Sequence, residues 1–293
     1  MPRGGGKRDE KFTEKFLASL AKGLELNGAT LPPPRMHPVM WTDGQKFTME
    51  DDPDRMSEAW APPEFVKKKD PIAQRAKTTV ENVLPGGADF GDHTMASVVH
   101  NVLDPEDCAE LIKMVNVKGF TPALLNIGRG RQQLYPGIRD GHRVIVDSAD
   151  LAGWIFEVVK PALPAKLHGS KVIELNERCR FLCYTPGQEF AEHCDGRYVR
   201  PHGHPHAGDY SMVTAQIYLH DVPEENGGAT TFKLGKNEVP FQPRVGSILL
   251  FTQNLLHEGS LVKSGLKYTL RTEAMYRREP LGVAGAAPGG ADM

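Results

Sequence analysis

The tripeptide His193-Cys194-Asp195, with His257 far downstream, constrains this chain more than any other feature. Two imidazoles and one carboxylate can occupy a single face of a metal and leave its other positions open, which is the ligand set of non-haem Fe(II) oxygenases. In a strand, residues two apart point to the same side, so His193 and Asp195 converge while Cys194 faces away. His257 must then arrive from another strand, and a sheet that closes into a barrel supplies one. This His-x-Asp is the only one among eleven histidines.

The surrounding sequence is rich in short β-type runs. Arg180 to Tyr184 is followed by a Pro186-Gly187 turn and a return to strand at Phe190. Val213 to Leu219, Gly227 to Phe232, Val245 to Phe251 and Lys267 to Glu273 follow. Runs of β-branched and aromatic residues separated by Gly, Pro and Asn indicate a barrel or sandwich, and a jelly roll can hold a metal in its mouth. The expected fold is mainly β with flanking α-helices, a double-stranded β-helix of the jelly-roll or cupin-like kind.

From about residue 97 to 278 the chain resembles Fe(II)/2-oxoglutarate dioxygenases of the prolyl 4-hydroxylase type. The motifs are Tyr184-x-Pro186-Gly187-Gln188-x-Phe190-x-x-His193-x-Asp195, Ile217-Tyr218-Leu219, Gly227-Gly228-x-Thr230-x-Phe232, and His257 with a basic residue ten positions later. The resemblance implies that His193, Asp195 and His257 hold Fe(II). It implies that Lys267 pairs with the distal carboxylate of 2-oxoglutarate, and that Tyr184 and Tyr218 help to seat this co-substrate. With O2 the expected reaction is hydroxylation of an unactivated C–H bond as 2-oxoglutarate is decarboxylated to succinate. Ascorbate dependence is expected from the family. Because Asp195 keeps the carboxylate that related halogenases replace, hydroxylation is the expected outcome.

Lys267 also follows from chemistry. The second carboxylate of 2-oxoglutarate, once buried, needs a charged, hydrogen-bonded partner. Lys267, Thr269 and Arg271 share one face of a strand, so all three point inward. Lys267 is the first choice of clamp; Arg271 is the second, or else a substrate contact. Arg271 and Arg277 also spell the RxxxxxR pattern of alkyl-nucleic-acid demethylases, but out of register. A net charge of −2 without a basic stripe gives no electrostatic footprint for nucleic acid, and none is expected as a substrate.

Hydrophobic content of 40% and charged content of 25% fit a globular protein of this length. No apolar run is long enough to span a bilayer, and the start lacks the apolar core of a secretory signal, so no membrane association and a cytoplasmic or nuclear site are expected. The four cysteines are few for a disulfide scaffold. Cys183 and Cys194 read as small apolar barrel residues; Cys179 and Cys183 with His202, His204 and His206 show no recognised zinc spacing.

Three segments are expected. Residues 1–95 form an N-terminal extension, with an amphipathic helix over Glu10–Leu26 and then a Pro-rich, partly irregular stretch anchored by Trp41 and Trp60. Residues 96–280 form the dioxygenase domain, and 281–293 a flexible Gly/Ala-rich tail. The domain opens with a strand at Ser97–Val102. A helix capped by Asp104 and Pro105 follows, and a second helix runs over about Ala149–Lys160. Two loops are candidate substrate contacts: Gly196–Asp209, with Arg197, and Gly128–His142, with Tyr135 and Arg139. Three functions stay open: a peptidyl hydroxylase acting on proline, a small-molecule or free amino-acid hydroxylase, and a catalytically inactive binding protein. Oligomeric state is not legible.

Overall fold

The computed structural model describes residues 24–26, 29–31, 33–37, 46–48, 60–85, 93–128 and 131–279. Trp41 and the tail 281–293 lie outside these residues. So does the expected helix over Glu10–Leu26 except at its end, where Leu24–Leu26 is a strand (β1) paired with Ala29–Leu31 (β2). Among the described residues no helix is long and apolar enough to cross a membrane.

In chain order the further elements are β3 (Lys46–Thr48), α1 (Glu64–Lys68), α2 (Pro71–Arg75), β4 (Thr79–Asn82), β5 (Ala96–His100), α3 (Pro105–Lys118), β6 (Thr121–Pro122), β7 (Leu125–Asn126), β8 (Arg131–Gln133), β9 (His142–Asp147) and α4 (Ala149–Val159). They continue as β10 (Lys166–Leu167), β11 (Ser170–Leu175), β12 (Arg178–Tyr184), β13 (Phe190–His193), β14 (Tyr210–Tyr218), β15 (Thr230–Leu234), β16 (Asn237–Phe241), β17 (Ile248–Thr252), β18 (His257–Gly259) and β19 (Lys267–Arg278).

Besides the β1-β2 pair and a small β3-β8-β7 sheet, the described strands make two larger sheets that face each other. The larger runs β4-β5-β17-β14-β19-β12-β9-β6, with β11 also on β19; the smaller runs β13-β18-β15-β16. From β12 onward the chain alternates between them, with β12, β14, β17 and β19 in the large sheet and β13, β15, β16 and β18 in the small one. This antiparallel winding is a double-stranded β-helix, as the sequence predicts.

Period-two alternation sorts the side chains. On β12, β14 and β19 the residues Phe181, Cys183, Val213, Ala215, Ile217, Tyr268, Leu270 and Tyr276 join the apolar core shared with α3 and α4. Their neighbours Arg180, Leu182, Tyr184, Gln216, Lys267, Thr269, Arg271 and Glu273 line the space between the sheets. Burying one such face removes large apolar side chains from water, each worth about 1.5–3 kcal/mol.

The helices behind the large sheet start where their caps dictate. Pro105 opens α3 after Asp104, whose backbone N–H donates to Asp107 at 3.2 Å. Ser148 caps α4 by accepting from the Leu151 N–H at 3.3 Å. Residues 60–85, expected to be irregular, instead contain two short helices and a strand. Phe65 of α1 meets Trp154 of α4 edge-on at 5.2 Å, Trp60 meets Phe181 at 5.3 Å, and β4 pairs with β5. Short helices of this length are weak alone and depend on such tertiary packing.

Candidate active site

His193 ends β13 and His257 opens β18, directly opposite each other in the ladder. Between Phe190↔Gly259 and His193↔His257 the register shifts, a bulge that re-aims His193 beside its partner. Asp195 lies just beyond the strand rather than within it, and its backbone N–H donates to the Gln253 carbonyl at 3.0 Å. The three side chains still converge: one ligand atom from each lies within 4.8 Å of the others. The His193 Nε2 is 3.7 Å from one Asp195 oxygen and the His257 Nε2 is 3.9 Å from the other.

Backbone carbonyls set the tautomers. His193 Nδ1 lies 2.8 Å from the Ala191 carbonyl and His257 Nδ1 lies 2.9 Å from that of Leu255. A carbonyl only accepts, so each Nδ1 carries the proton and each Nε2 turns its lone pair toward Asp195, as metal-ligating histidines do. Burial, helped by the neighbouring His257, pushes the His193 imidazole down to about 4, and burial also lowers His257. Burial alone would raise the Asp195 carboxyl, but Arg271 with His257 and His193 outweighs it and holds the group well below the ordinary range. Neutral imidazoles beside an ionised carboxylate are the donor set a divalent iron ion needs, so these residues fit that metal.

Behind the triad runs a charged network. Arg271 reaches Asp195 at 2.8 Å and Glu273 at 3.0 Å, while Arg180 also reaches Glu273 at 2.7 Å. Asn176 donates to the other Glu273 oxygen at 3.1 Å, and the Thr214 hydroxyl donates to Asp195. Arg271 is thus engaged by two carboxylates and orients a candidate metal ligand, which argues against its alternative role as a carboxylate clamp. Arg180, Glu273 and Thr214 were not singled out from the sequence. Arg180 and Glu273 occupy the same inward phase as Tyr184 and Lys267, and that alternation was the available signal.

Lys267 is 3% exposed and makes no ion pair among the described residues; its ammonium lies 3.5 Å from the Ala229 carbonyl and 5.6 Å from the centre of the Tyr184 ring. Burial pushes it down to about 7. The Thr269 hydroxyl, two residues along the same face, is buried without a hydrogen-bond partner. An unpaired ammonium and an unsatisfied hydroxyl side by side are what a buried carboxylate would satisfy.

Triad, Lys267, Thr269 and Tyr184 all line one cavity of about 1190 Å³. Gly141 makes room for the Tyr184 ring: a Cβ there would stand 2.5 Å from it. Both candidate loops contribute, the first through Arg197, whose guanidinium lies 4.8 Å from the Tyr210 ring centre, and the second through Arg139. Leu124, Leu125, Asn126 and Gln132, on and beside β7 and β8, add to the wall.

Two predicted site residues are placed elsewhere. Tyr218 is fully buried in the apolar cluster with Phe232 and Phe251 and touches the cavity wall only through its hydroxyl, which donates to Thr230 at 2.8 Å. Tyr135 is 36% exposed and does not line the cavity. Cys194, expected to be apolar filling, is exposed just beyond the strand and donates to the Asn254 carbonyl at 3.4 Å. Cys179 and Cys183 are buried, with their thiols pushed up to about 12 by burial, and form no metal cluster with the loop histidines.

The family profile described as the 2OG-Fe(II) oxygenase superfamily matches residues 179–272. No curated protein matches the chain. Similar solved structures include a Pseudomonas putida prolyl-4-hydroxylase, at 17% identity over 64% of this chain and 95% of that one, with a TM-score of 0.45. The viral collagen prolyl hydroxylase vCPH from Paramecium Bursaria Chlorella virus-1, in its 2OG complex, is 22% identical over 65% of this chain and 99% of that one, with a TM-score of 0.44. A Trichoplax adhaerens prolyl hydroxylase in complex with a hypoxia inducible factor oxygen degradation domain peptide fragment is 14% identical over 69% and 86%, with a TM-score of 0.47. The matched segment begins in β12, ends in β19 and contains the triad, Lys267 and Thr269, so the similarity to the 2OG-Fe(II) oxygenase superfamily falls on the residues that build the candidate site.

Proposed function

We propose that the chain is an Fe(II)- and 2-oxoglutarate-dependent dioxygenase that hydroxylates an unactivated C–H bond, first of all in a prolyl residue of a peptide. The observation that carries this reading is the pairing, in one cavity, of an open-faced His193–Asp195–His257 triad with an unpaired Lys267 and an unsatisfied Thr269. His193 and His257 would hold the metal through Nε2, and Asp195, oriented by Arg271 and Thr214, would hold it through its carboxylate. Lys267 and Thr269 would take the distal carboxylate of 2-oxoglutarate, with Tyr184 alongside. Bound Fe(II), with 2-oxoglutarate and O2, supplies hydroxylation coupled to release of succinate and CO2. The chain's own residues would fix orientation and exclude water: the inner wall is built of buried side chains, and the cavity of about 1190 Å³ has room for a second molecule. A small-molecule or free amino-acid substrate is the alternative within this chemistry, and ascorbate is expected on the resemblance alone. A complete set of ligands speaks against an inactive binding protein.

Mixing the protein with Fe(II) and 2-oxoglutarate without oxygen tests this. A visible charge-transfer band is expected, lost in His193→Ala and needing far more 2-oxoglutarate in Lys267→Ala. Absence of the band in the unaltered protein would sink the proposal. Hydroxyproline mass shifts in incubated peptides would then favour the peptidyl substrate, and activity confined to free amino acids would remove it.

A further inference from the structure

We infer that the substrate carries a free carboxylate, seated by Arg139 on the cavity wall beside Arg143. This rests on the dioxygenase reading above and narrows its substrate class.

Arg139 and Arg143 donate to the same acceptor, the Leu124 carbonyl, at 3.1 and 3.2 Å. Two guanidinium groups therefore meet on one neutral oxygen. The Arg139 Nε is enclosed and has no hydrogen-bond partner, and no carboxylate lies within ion-pairing distance of Arg139 among the described residues. Its guanidinium instead lies 4.7 Å from the centre of the Phe190 ring, which stacks on His193 at 3.6 Å. Arg139 is thus one aromatic ring away from a metal ligand.

Counting charge along the wall sharpens the point. Glu273 is shared by Arg180 and Arg271, and Asp195 is shared by Arg271 and the metal position. The acids nearer the mouth have partners too: Asp147 with Arg178, Glu177 with Arg200, Glu258 with Lys233. The co-substrate would place one carboxylate at the metal position and the other on Lys267, so neither serves Arg139. Among the described residues Arg139 is left with no counter-charge in the assembled site. A buried cation in that position needs an anion, and the planar fork of a guanidinium matches a carboxylate with two parallel hydrogen bonds. The interior of a neutral proline-rich peptide would leave it unmatched.

The carboxylate has two possible sources, a small acid such as an amino-acid derivative or an acidic side chain in a peptide. Binding is measured by calorimetry on the full chain with Mn(II) and 2-oxoglutarate. The probes are N-acetyl-L-proline against N-acetyl-L-prolinamide, and acetyl-Pro-Glu-amide against acetyl-Pro-Gln-amide. In at least one pair the carboxylate is expected to bind about tenfold tighter or more, the usual scale for a charge-assisted hydrogen bond. The preference should fall to about one in Arg139→Gln and return in part in Arg139→Lys. Preference in the first pair identifies a small acid, and in the second an acidic peptide. Equal binding within both pairs, or no binding by either carboxylate, overturns the inference. The Fe(II)–2-oxoglutarate band, recorded on the same preparations, separates the two levels. A band without carboxylate preference defeats only the substrate class, whereas a missing band in the unaltered protein defeats the dioxygenase reading and this inference with it.

Discussion

At Lys267 two requirements of one side chain oppose each other. Burial without an anionic partner lowers its pKa to about 7, against an unfolded value near 10.4. Between those values the unfolded chain binds the extra proton, so the stability of the ligand-free protein should rise with pH from about 7 toward 10. Lys267→Met should flatten that slope in thermal melts and stabilise the free protein near neutral pH, because a buried unpaired cation is removed. Co-substrate binding should run the opposite way. The carboxylate needs the charged ammonium, so 2-oxoglutarate affinity should fall by up to about tenfold per pH unit above 7, with proton uptake visible as buffer-dependent heats. Lys267→Ala should weaken 2-oxoglutarate by about thirtyfold or more, the scale for truncating one partner of a buried charge pair. A pH-independent affinity would show that the clamp lies elsewhere.

At the scale of elements, the segment from Gly196 to Asp209 follows the candidate ligand pair His193 and Asp195 and contributes to the cavity lining. Arg200, almost wholly buried, ties it down through Glu174 and Glu177, and Arg277 holds Asp209 at 2.7 Å. Glu174, His206 and Asp209 are close enough together to suggest a second metal position, yet the Arg200 guanidinium already ion-pairs with Glu174 and lies 3.9 Å from Asp209. Arg200→Ala should speed hydrogen exchange through residues 196–209 and loosen metal binding, while exchange in β14 and β19 changes little. Unchanged exchange in the loop would mean the ion pairs are not what holds it. On the opposite wall, Gly141→Ala would drive a methyl into the Tyr184 ring, so 2-oxoglutarate affinity should fall with the fold intact by circular dichroism.

Over the whole molecule, the segment before β5 is part of the packing around the large sheet. Trp60 and Phe65 pack against its helix-side core, the Trp154 indole donates to the Lys69 carbonyl at 2.9 Å, and β4 covers the edge of β5. Phe65→Ala should destabilise the protein by about 3–5 kcal/mol in urea unfolding, the range for deleting a buried aromatic side chain. A loss below about 1 kcal/mol would mean that this segment rides on the sheet without supporting it.

Local sequence determined a great deal here. Period-two alternation assigned inward and outward faces to β12, β14 and β19, the cap at Asp104 and Pro105 placed α3, and the His-x-Asp pair with a distant histidine specified the candidate metal ligands. These are properties of neighbouring residues, and the backbone converts them directly into direction. Only the tertiary structure decided that Arg271 serves Asp195 and Glu273, that Tyr218 turns into an apolar cluster, and that Arg200 fills the acidic cluster beside the loop. It also decided that residues 60–85 are ordered elements, and that Arg139 stands unmatched beside Arg143. Each of these depends on which distant side chain or backbone surface lies within a few ångströms, and no periodicity along a single strand carries that information.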